Sequence, residues 1–171
     1  ALDEGGGAAS ARAHSTARSD AVIAWNANAG EAAIAACISP VDNPLHESHL
    51  YAMTHLAIHD ALNAIDRRSR PYAFSARVKG GASPEAAVAA AAHGVLVRLL
   101  NQIPAPFPAA CGAAGAASVE ADYAAVLAAI PDGRAKIRGI EVGEAAAAAV
   151  LALRAADGAD TPLIVTDYPQ G

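Results

Sequence analysis

Aromatic residues and alternating β-branched segments are scarce in this chain. Phenylalanine, tryptophan and tyrosine make up 4% of its 171 residues, whereas 54% of the residues are hydrophobic and many of these are alanine. Alanine is the strongest helix former and has a small side chain, so it favours helices that pack at short interaxial distances. The composition therefore predicts an all-α protein and argues against a β-sandwich or β-barrel, whose strands are rich in β-branched residues.

Positive charge and long apolar runs are also lacking. The 12 Lys and Arg residues and 17 Asp and Glu residues give a formal net charge of −5, and the isoelectric point is about 5.6. Nucleic-acid-binding domains normally carry a basic patch, so we expect no nucleic-acid partner. The apolar stretch 145–153 is shorter than the roughly 18 residues that a transmembrane helix requires, so we also expect no transmembrane segment.

Only two cysteines, Cys37 and Cys111, occur in the sequence, far apart and outside any Cys-x-x-Cys motif. Their spacing excludes a zinc ribbon and a thioredoxin-like redox site. Two alternatives stay open: a disulfide, if the compartment is oxidising, or two buried free thiols. The first residues lack the apolar core of a signal peptide, which fits a secreted or periplasmic protein whose signal has been removed, or a shortened chain.

Proline and glycine residues divide the sequence into five helix-length segments. The strongest start signal is Ser83-Pro84-Glu85, which combines a capping serine, a proline and an acid in one first turn. We predict a helical domain over residues 19–158, after a mobile tail at 1–18 and before an extended segment at 159–171. This bundle of five helices, which we expect to be part of a larger helical enzyme, comprises residues 20–37, 45–66, 83–103, 116–130 and 134–156.

The segment 45–66 carries the most distinctive chemistry, because it contains four of the six histidines. At helical spacing its apolar residues form one broad face, which predicts a central packing element of the fold. The opposite face is a narrower polar stripe formed by His55, His59, Asn63 and Asp66.

The histidines of this segment raise the question of a metal site. His55 and His59 stand at positions i and i+4, a spacing that lets two imidazoles reach one ion, and His46, His49 and Asp60 are close in the sequence. A module that binds copper, nickel or zinc would require at least three of these five residues to converge. There is no His-Glu-x-x-His motif, so a zinc hydrolase is unsupported. We favour histidines that bond to neighbouring helices or to water.

Asp60 lies at the edge of the apolar face, where we expect a structural rather than a catalytic role. A buried carboxylate needs partners, and an adjacent helix end or an arginine would supply them. The sequence also lacks a glycine-rich phosphate loop after a strand, a Gly-x-Ser-x-Gly elbow and a cysteine in a papain-like context. From the residues alone, we predict no catalytic residue.

Several motifs nevertheless follow one another in a particular order over residues 20–160. They are Asp20-Ala21-Val22 with Trp25-Asn26, the run from Ala52-Met53 to Asn63-Ala64-Ile65, Pro71-Tyr72, Ala82-Ser83-Pro84-Glu85-Ala86-Ala87 with His93, Ile130-Pro131-Asp132-Gly133, and Val142-Gly143 to Asp157-Gly158. This ordered set resembles the N-terminal helical part of vanadium-dependent haloperoxidases and related type 2 phosphatidic-acid-phosphatase-like proteins. His59 departs from the pattern, in which we expect an aromatic residue.

The resemblance implies an oxyanion pocket for vanadate or phosphate, and either oxidation of halide by hydrogen peroxide or hydrolysis of phosphate esters. In the family, the pocket comes from Lys-x6-Arg-Pro, Pro-Ser-Gly-His and Ser-Arg-x5-His motifs, and none of the three is present here. Asn63, Asp132 and Ala76 stand where a lysine, a serine and a histidine would be required. No cofactor is therefore expected in this chain, and vanadate is implied only for a full-length relative.

We therefore expect the chain to be a structural N-terminal portion whose catalytic half lies beyond Gly171. Such a portion would be inactive alone and would expose an apolar surface where the catalytic half docks. Its partners would be that missing half and, in a homodimer, a second copy. The alternatives are a self-contained metal-binding module and a helical dimerisation module without a ligand.

Overall fold

The computed structural model describes residues 6–39, 44–103 and 108–159. These ranges contain five α-helices and no strand, which confirms the prediction of an all-α bundle. None of these five helices is long and apolar enough to cross a lipid bilayer. The helices are α1 (Gly6–Ala35), α2 (Pro44–Ile65), α3 (Pro84–Leu100), α4 (Ala109–Ala129) and α5 (Arg134–Arg154).

Two helices begin earlier than the sequence predicted. The first, α1, starts at Gly6, inside the segment that we expected to form a tail, and α4 starts at Ala109 rather than near residue 116. Alanine-rich sequence propagates a helix easily once it is nucleated, so an isolated glycine does not end it. Residues 160–171, which we expected to be extended, lie outside the described ranges.

The N-terminus of α3 has the structure that its sequence predicted. Ser83 precedes the helix in an extended conformation, and its side chain accepts a hydrogen bond of 3.1 Å from the backbone N–H of Ala86. The Ser83 N–H donates to the carbonyl of Ala135 at 2.8 Å. One residue therefore caps α3 and also joins its first turn to the first turn of α5.

The centre of the bundle is α3, which packs against each of the other four helices. Its residues from Ala86 to Ala92 are all fully buried, as expected for a helix that is apolar on every face. The helix α2 buries the broad apolar face that its sequence predicted and contacts α1, α3 and α5, but among the described helices α3 has more neighbours. The small alanine side chains of α3 allow other helices to pack against every face of it, whereas the larger side chains of α2 bury one face.

The closest approach between helices joins α3 and α5 through two glycines of α5. A Cβ atom added at Gly139 would lie 2.5 Å from the carbonyl oxygen of Ser83, and one at Gly143 would lie 2.7 Å from the Cβ atom of Ala90. These separations are far below van der Waals contact, so no side chain fits at either position. The two helices therefore pack almost backbone to backbone along this stripe.

The C-terminus of α1 is held by a left-handed residue and a disulfide. Cys37 has a φ of 61°, and the Ile38 N–H donates to Ala33 and the Cys37 N–H to Ile34, which is the Schellman pattern of helix termination. Cys37 is bonded to Cys111 in α4, across a sequence separation of 74 residues. Of the two alternatives for the cysteines, the structure has the disulfide. Closing a loop of this length stabilises the fold by about 4 kcal/mol in the chain-entropy estimate.

Candidate functional site

The buried carboxylate of Asp60 organises the long loop that joins α2 to α3, which we call the α2–α3 loop (residues 66–83). Asp60 is completely buried. Its Oδ1 atom accepts a hydrogen bond of 2.8 Å from the Tyr72 N–H, and its Oδ2 atom accepts bonds of 2.6 and 2.7 Å from the N–H groups of Ala73 and Phe74. The partners of Asp60 are therefore consecutive backbone amides of a loop, instead of the helix end or arginine that we expected.

A second buried polar residue, Asn63, holds the beginning of the same loop. It is 5% exposed, so it does not belong to the solvent-facing polar stripe in which the sequence placed it. Its Oδ1 atom accepts from the N–H groups of Arg68 and Ser69, and its Nδ2 atom donates to the Ser69 carbonyl at 3.0 Å. Further along, the Arg67 guanidinium donates to the carbonyls of Ser75 and Ala76. Side chains at the end of α2 thus replace regular secondary structure as the partners of the loop backbone.

The histidines of α2 point toward three different parts of the protein. His55 Nε2 lies 2.9 Å from Asn26 Oδ1 on α1, and His59 Nε2 lies 3.3 Å from the carbonyl of Arg70 in the α2–α3 loop. His49 Nε2 lies 3.4 Å from Asp157 Oδ2, just after α5. Each imidazole therefore connects α2 to a different neighbouring segment.

The five metal-site candidates do not assemble into one site. In residues 6–39, 44–103 and 108–159, no three His, Cys, Asp or Glu side chains are placed so that they could hold a metal ion. His46 and His49 lie near one another, with ring centroids 6.5 Å apart. Further along α2, His59 Nε2 lies 3.9 Å from Asp60 Oδ1, whereas His55 bonds to Asn26 on α1. The convergence that a metal-binding module requires is therefore not found in this part of the chain.

Two of the five candidates, His46 and His49, line a cleft. Its volume is about 770 Å³, and it lies between the N-terminal half of α2 and the C-terminal ends of α3 and α5. The polar side chains around it are His46, His49, Arg98, Gln102, Arg154 and Asp157, and the larger apolar ones are Met53, Leu99 and Leu151. Basic side chains from three helices therefore line this cleft: His46 and His49 of α2, Arg98 of α3 and Arg154 of α5.

The carboxylate of Asp157 accepts the main polar contacts in one wall of the cleft. Its Oδ1 atom accepts from the Ala159 N–H at 2.9 Å, and its Oδ2 atom accepts from Arg154 Nε at 2.8 Å. The Ala159 N–H, together with Arg154 and His49, holds the pKa of the Asp157 carboxyl below its usual range. Arg154 also donates to the Tyr72 hydroxyl at 3.3 Å, which links the cleft to the α2–α3 loop.

Two further polar clusters lie at the contacts that α4 makes with its neighbours. Asp122 has a buried Oδ2 atom without a hydrogen-bond partner, and its burial, together with the nearby Glu31 of α1, raises the pKa of its carboxyl. His93 of α3 stacks on Tyr123 with ring centroids 4.1 Å apart, and its Nε2 atom lies 3.0 Å from Glu120. These contacts connect helices, and neither cluster adjoins the cleft.

Sequence reasoning missed Arg98, Arg154 and Asp157 as site residues. A weak signal was present, because Arg98 and Arg154 both fall in the last turn of a helix, where a cation interacts favourably with the helix dipole. Nothing in the linear order indicates that the ends of α3 and α5 meet beside the start of α2. Their proximity follows from the packing of both helices against α2.

The comparisons with known proteins assign no family. No protein-family model matches the chain, and no curated protein or solved structure gives a match either. The function is therefore argued from the chain's own residues and from the resemblance described above.

Proposed function

We propose that this chain is the structural N-terminal helical portion of a vanadium-dependent haloperoxidase-like or related acid-phosphatase-like protein. In this proposal the vanadate- or phosphate-binding residues belong to a catalytic portion of the same protein outside this sequence. The chain supports that portion mechanically and carries no catalytic residue itself. The disulfide supports a secreted or periplasmic location as part of the same proposal, because disulfides persist in oxidising compartments.

The observation that carries the proposal is a contrast between two similar segments. Residues 86–92 of α3 and residues 124–130 at the end of α4 are both runs of seven apolar residues, long enough to cover every face of a helix. Every residue of the α3 run is buried, whereas four residues of the α4 run are exposed and Val126, Leu127 and Ile130 are half-buried. A helix that is apolar on all faces is normally enclosed by protein. The segment 124–130, which we call the α4 apolar end, therefore has the composition of a core helix but is only partly covered, with Val126 packed against the core.

The occupant that we propose for the α4 apolar end is helical structure from the catalytic portion. The fully buried residues of α4 lie in its N-terminal half, beside α1 and α3; they are Gly112, Gly115, Ala116 and Val119. The other half contacts the bundle on one side, through Tyr123 and Val126, and exposes four alanines of the α4 apolar end. Covering it would continue the packing of small apolar side chains that already joins the five helices.

The residues behind the resemblance fit this structural role. Asp60 and Asn63 order the α2–α3 loop, Ser83 caps α3, and Gly143 allows α5 to approach α3. Each of these residues has a packing or hydrogen-bonding task that is complete without a substrate. A portion built in this way supports chemistry that takes place elsewhere.

The deciding experiment is the intact mass of the native protein isolated from its source, combined with peptide mapping. We expect a mass more than twice the 17.0 kDa of this chain, with peptides beyond Gly171 that contain a Lys-x6-Arg-Pro motif. A native mass of 17.0 kDa would overturn the proposal. So would vanadate-dependent halide oxidation or phosphatase activity by this chain alone, because no residue is assigned to either reaction here.

A further inference from the structure

We propose that the cleft between α2 and the ends of α3 and α5 binds a small organic anion, in which a carboxylate or phosphate group is attached to a compact apolar body. This ligand site is separate from the structural role proposed above and does not depend on it. Its principal anion-binding residue is Arg98.

The size and lining of the cleft suit a ligand of this kind. Its volume of about 770 Å³ falls within the range of small-molecule sites. Met53, Leu99 and Leu151 contribute apolar surface, which would contact the body of the ligand. Gln102 and the two arginines contribute polar groups, which would orient its head group. Such a mixture of apolar surface and a few convergent polar groups is typical of binding sites for small organic molecules.

The charge of the cleft favours an anion. Arg154 is paired with Asp157, whose two oxygens already accept from Arg154 and the Ala159 N–H. Arg98 makes no hydrogen bond or ion pair with any residue that the structure describes. One uncompensated guanidinium therefore faces this space in a chain whose net charge is −5.

The guanidinium groups also determine which anions fit. A planar guanidinium binds carboxylate or phosphate oxygens with two parallel hydrogen bonds, which a single halide ion cannot accept in the same geometry. The C-terminal carbonyls of α3 and α5 oppose an anion, since the negative end of each helix dipole lies at that end. The arginine side chains and the apolar wall must together overcome this opposition, so we expect dissociation constants between micromolar and millimolar.

Three probes with the same aromatic body test the proposal: benzoate, phenyl phosphate and benzyl alcohol. Binding of each to the full chain is measured by isothermal titration calorimetry at low ionic strength. We expect at least one of the two anions to bind and the neutral alcohol to bind at least tenfold more weakly. The difference between benzoate and phenyl phosphate would show which head group the cleft prefers.

Matched variants locate the binding. Arg98→Gln removes the unpaired charge from the cleft, and Arg77→Gln removes an exposed arginine from the α2–α3 loop, outside it. We expect Arg98→Gln to weaken anion binding at least tenfold and Arg77→Gln to leave it within twofold. Circular dichroism melting curves check that both variants are folded.

Several outcomes would overturn the proposal. No binding of either anion to the unsubstituted chain at millimolar concentration would do so without any variant. Equal binding of benzyl alcohol would show an apolar pocket that does not recognise charge. Equal weakening by the two substitutions would show general attraction to positive surface charge instead of a site.

Discussion

At the scale of single residues, two of the three polar side chains buried in α2, Asp60 and Asn63, bond to the backbone of the following loop, and Thr54 donates to Leu50 within the helix. The α2–α3 loop has 18 residues, from 66 to 83, and no regular secondary structure, which is long for a compact helical protein. Asp60 and Asn63 supply the partners that a helix or sheet would otherwise provide for its amides. The hydrogen bonds that a buried carboxylate accepts from several backbone N–H groups compensate for its loss of contact with water. Removing its charge leaves those N–H donors poorly paired.

Asp60→Asn tests this role. The substitution keeps the shape of the side chain but removes the charge and replaces one acceptor oxygen by an NH2 group that faces backbone N–H donors. We expect the free energy of unfolding to fall by about 3 kcal/mol, and the loop to be cut faster by a protease. Urea denaturation and limited proteolysis measure the two effects.

The matched control is Asp132→Asn, which removes the same charge from a side chain that is 96% exposed and paired with Lys136. We expect its urea midpoint to stay almost unchanged, because exposed ion pairs contribute little. Similar losses for the two variants would contradict the role assigned to Asp60.

The pH dependence of stability should differ in sign between Asp122 and Asp157. Burial and the nearby Glu31 raise the pKa of Asp122, so its ionisation disfavours the folded state at neutral pH. Asp122→Asn should therefore raise the thermal midpoint at pH 7, with a benefit that disappears as the pH falls below the ordinary aspartate pKa of about 4. Thermal melting of the variant and the unsubstituted chain at several pH values between 3 and 7 measures this.

Asp157→Asn is the opposite case in the same experiment. Because the Ala159 N–H, Arg154 and His49 lower the pKa of Asp157, its stabilising effect is present above the ordinary aspartate pKa and is lost as the pH falls through the lowered value. The variant should melt at a lower temperature at pH 7 and converge with the unsubstituted chain in acid. Shifts of the same sign for both variants at pH 7 would show that one of the two environments is misassigned.

At the scale of helices, small residues determine how closely the elements approach. Gly143 lies against Ala90 and the backbone of Ala87 on α3, with no space for a Cβ atom. Gly30 of α1 also has little space, but the atom that a Cβ would meet is the Tyr51 hydroxyl, at the far end of a partly exposed side chain. The two glycines are equally unfavourable for an isolated helix, so only their surroundings distinguish them.

Gly143→Ala and Gly30→Ala form a matched pair that measures this difference. Alanine improves helix propensity by about 1 kcal/mol at either site. At Gly143 the overpacking should outweigh this gain and give a net loss of about 3 kcal/mol, since the backbone of α3 cannot move aside. At Gly30 the tyrosine can rotate away, so we expect a change below about 1 kcal/mol. Equal effects in chemical denaturation would argue against backbone-to-backbone packing of α3 and α5.

At the scale of the whole molecule, the five helices enclose α3, and the residues that the structure describes cover the end of α4 only in part. The four neighbours of α3 bury its alanine run completely, while α4 contacts two of the other described helices, α1 and α3. An exposed apolar surface of this kind promotes association with another protein surface. In a solution of this chain alone, the α4 apolar end of one copy can associate with the α4 apolar end of a second copy.

Ala125→Glu combined with Ala128→Glu tests the uncovered end of α4. Both residues are exposed, so the pair should not change the thermal midpoint appreciably. We expect the unsubstituted chain to self-associate at concentrations of tens of micromolar, and the double variant to sediment as a monomer of 17.0 kDa. Analytical ultracentrifugation over a concentration series measures the association.

The control pair is Ala114→Glu with Ala117→Glu, which places two charges at the same spacing on exposed positions of the other half of α4. These substitutions should leave self-association unchanged. An equal reduction by both pairs would show that added negative charge, rather than the α4 apolar end, controls the association.

Local signals in the sequence were sufficient for much of the fold. Ser83-Pro84-Glu85 predicted the start of α3 to within one residue, because a helix cap depends only on neighbours in the chain. The site was much less predictable. The sequence favoured histidines that bond to neighbouring helices or to water over a metal site, but which partners they have depends on where α1, the α2–α3 loop and Asp157 lie. Asn63 was expected to face solvent, and only the path of the loop explains its burial.

By itself, the sequence determined that this protein is helical, where most of its helices lie and that they pack closely, since helix propensity, capping and small side chains act over a few residues. Tertiary structure decided which helix is central, whether Cys37 and Cys111 meet, and which basic residues share a cleft. It also distinguished two similar seven-residue apolar runs by burying one completely and the other only in part. Burial and proximity are properties of the neighbours that surround a residue, and the linear order of the chain does not specify those neighbours.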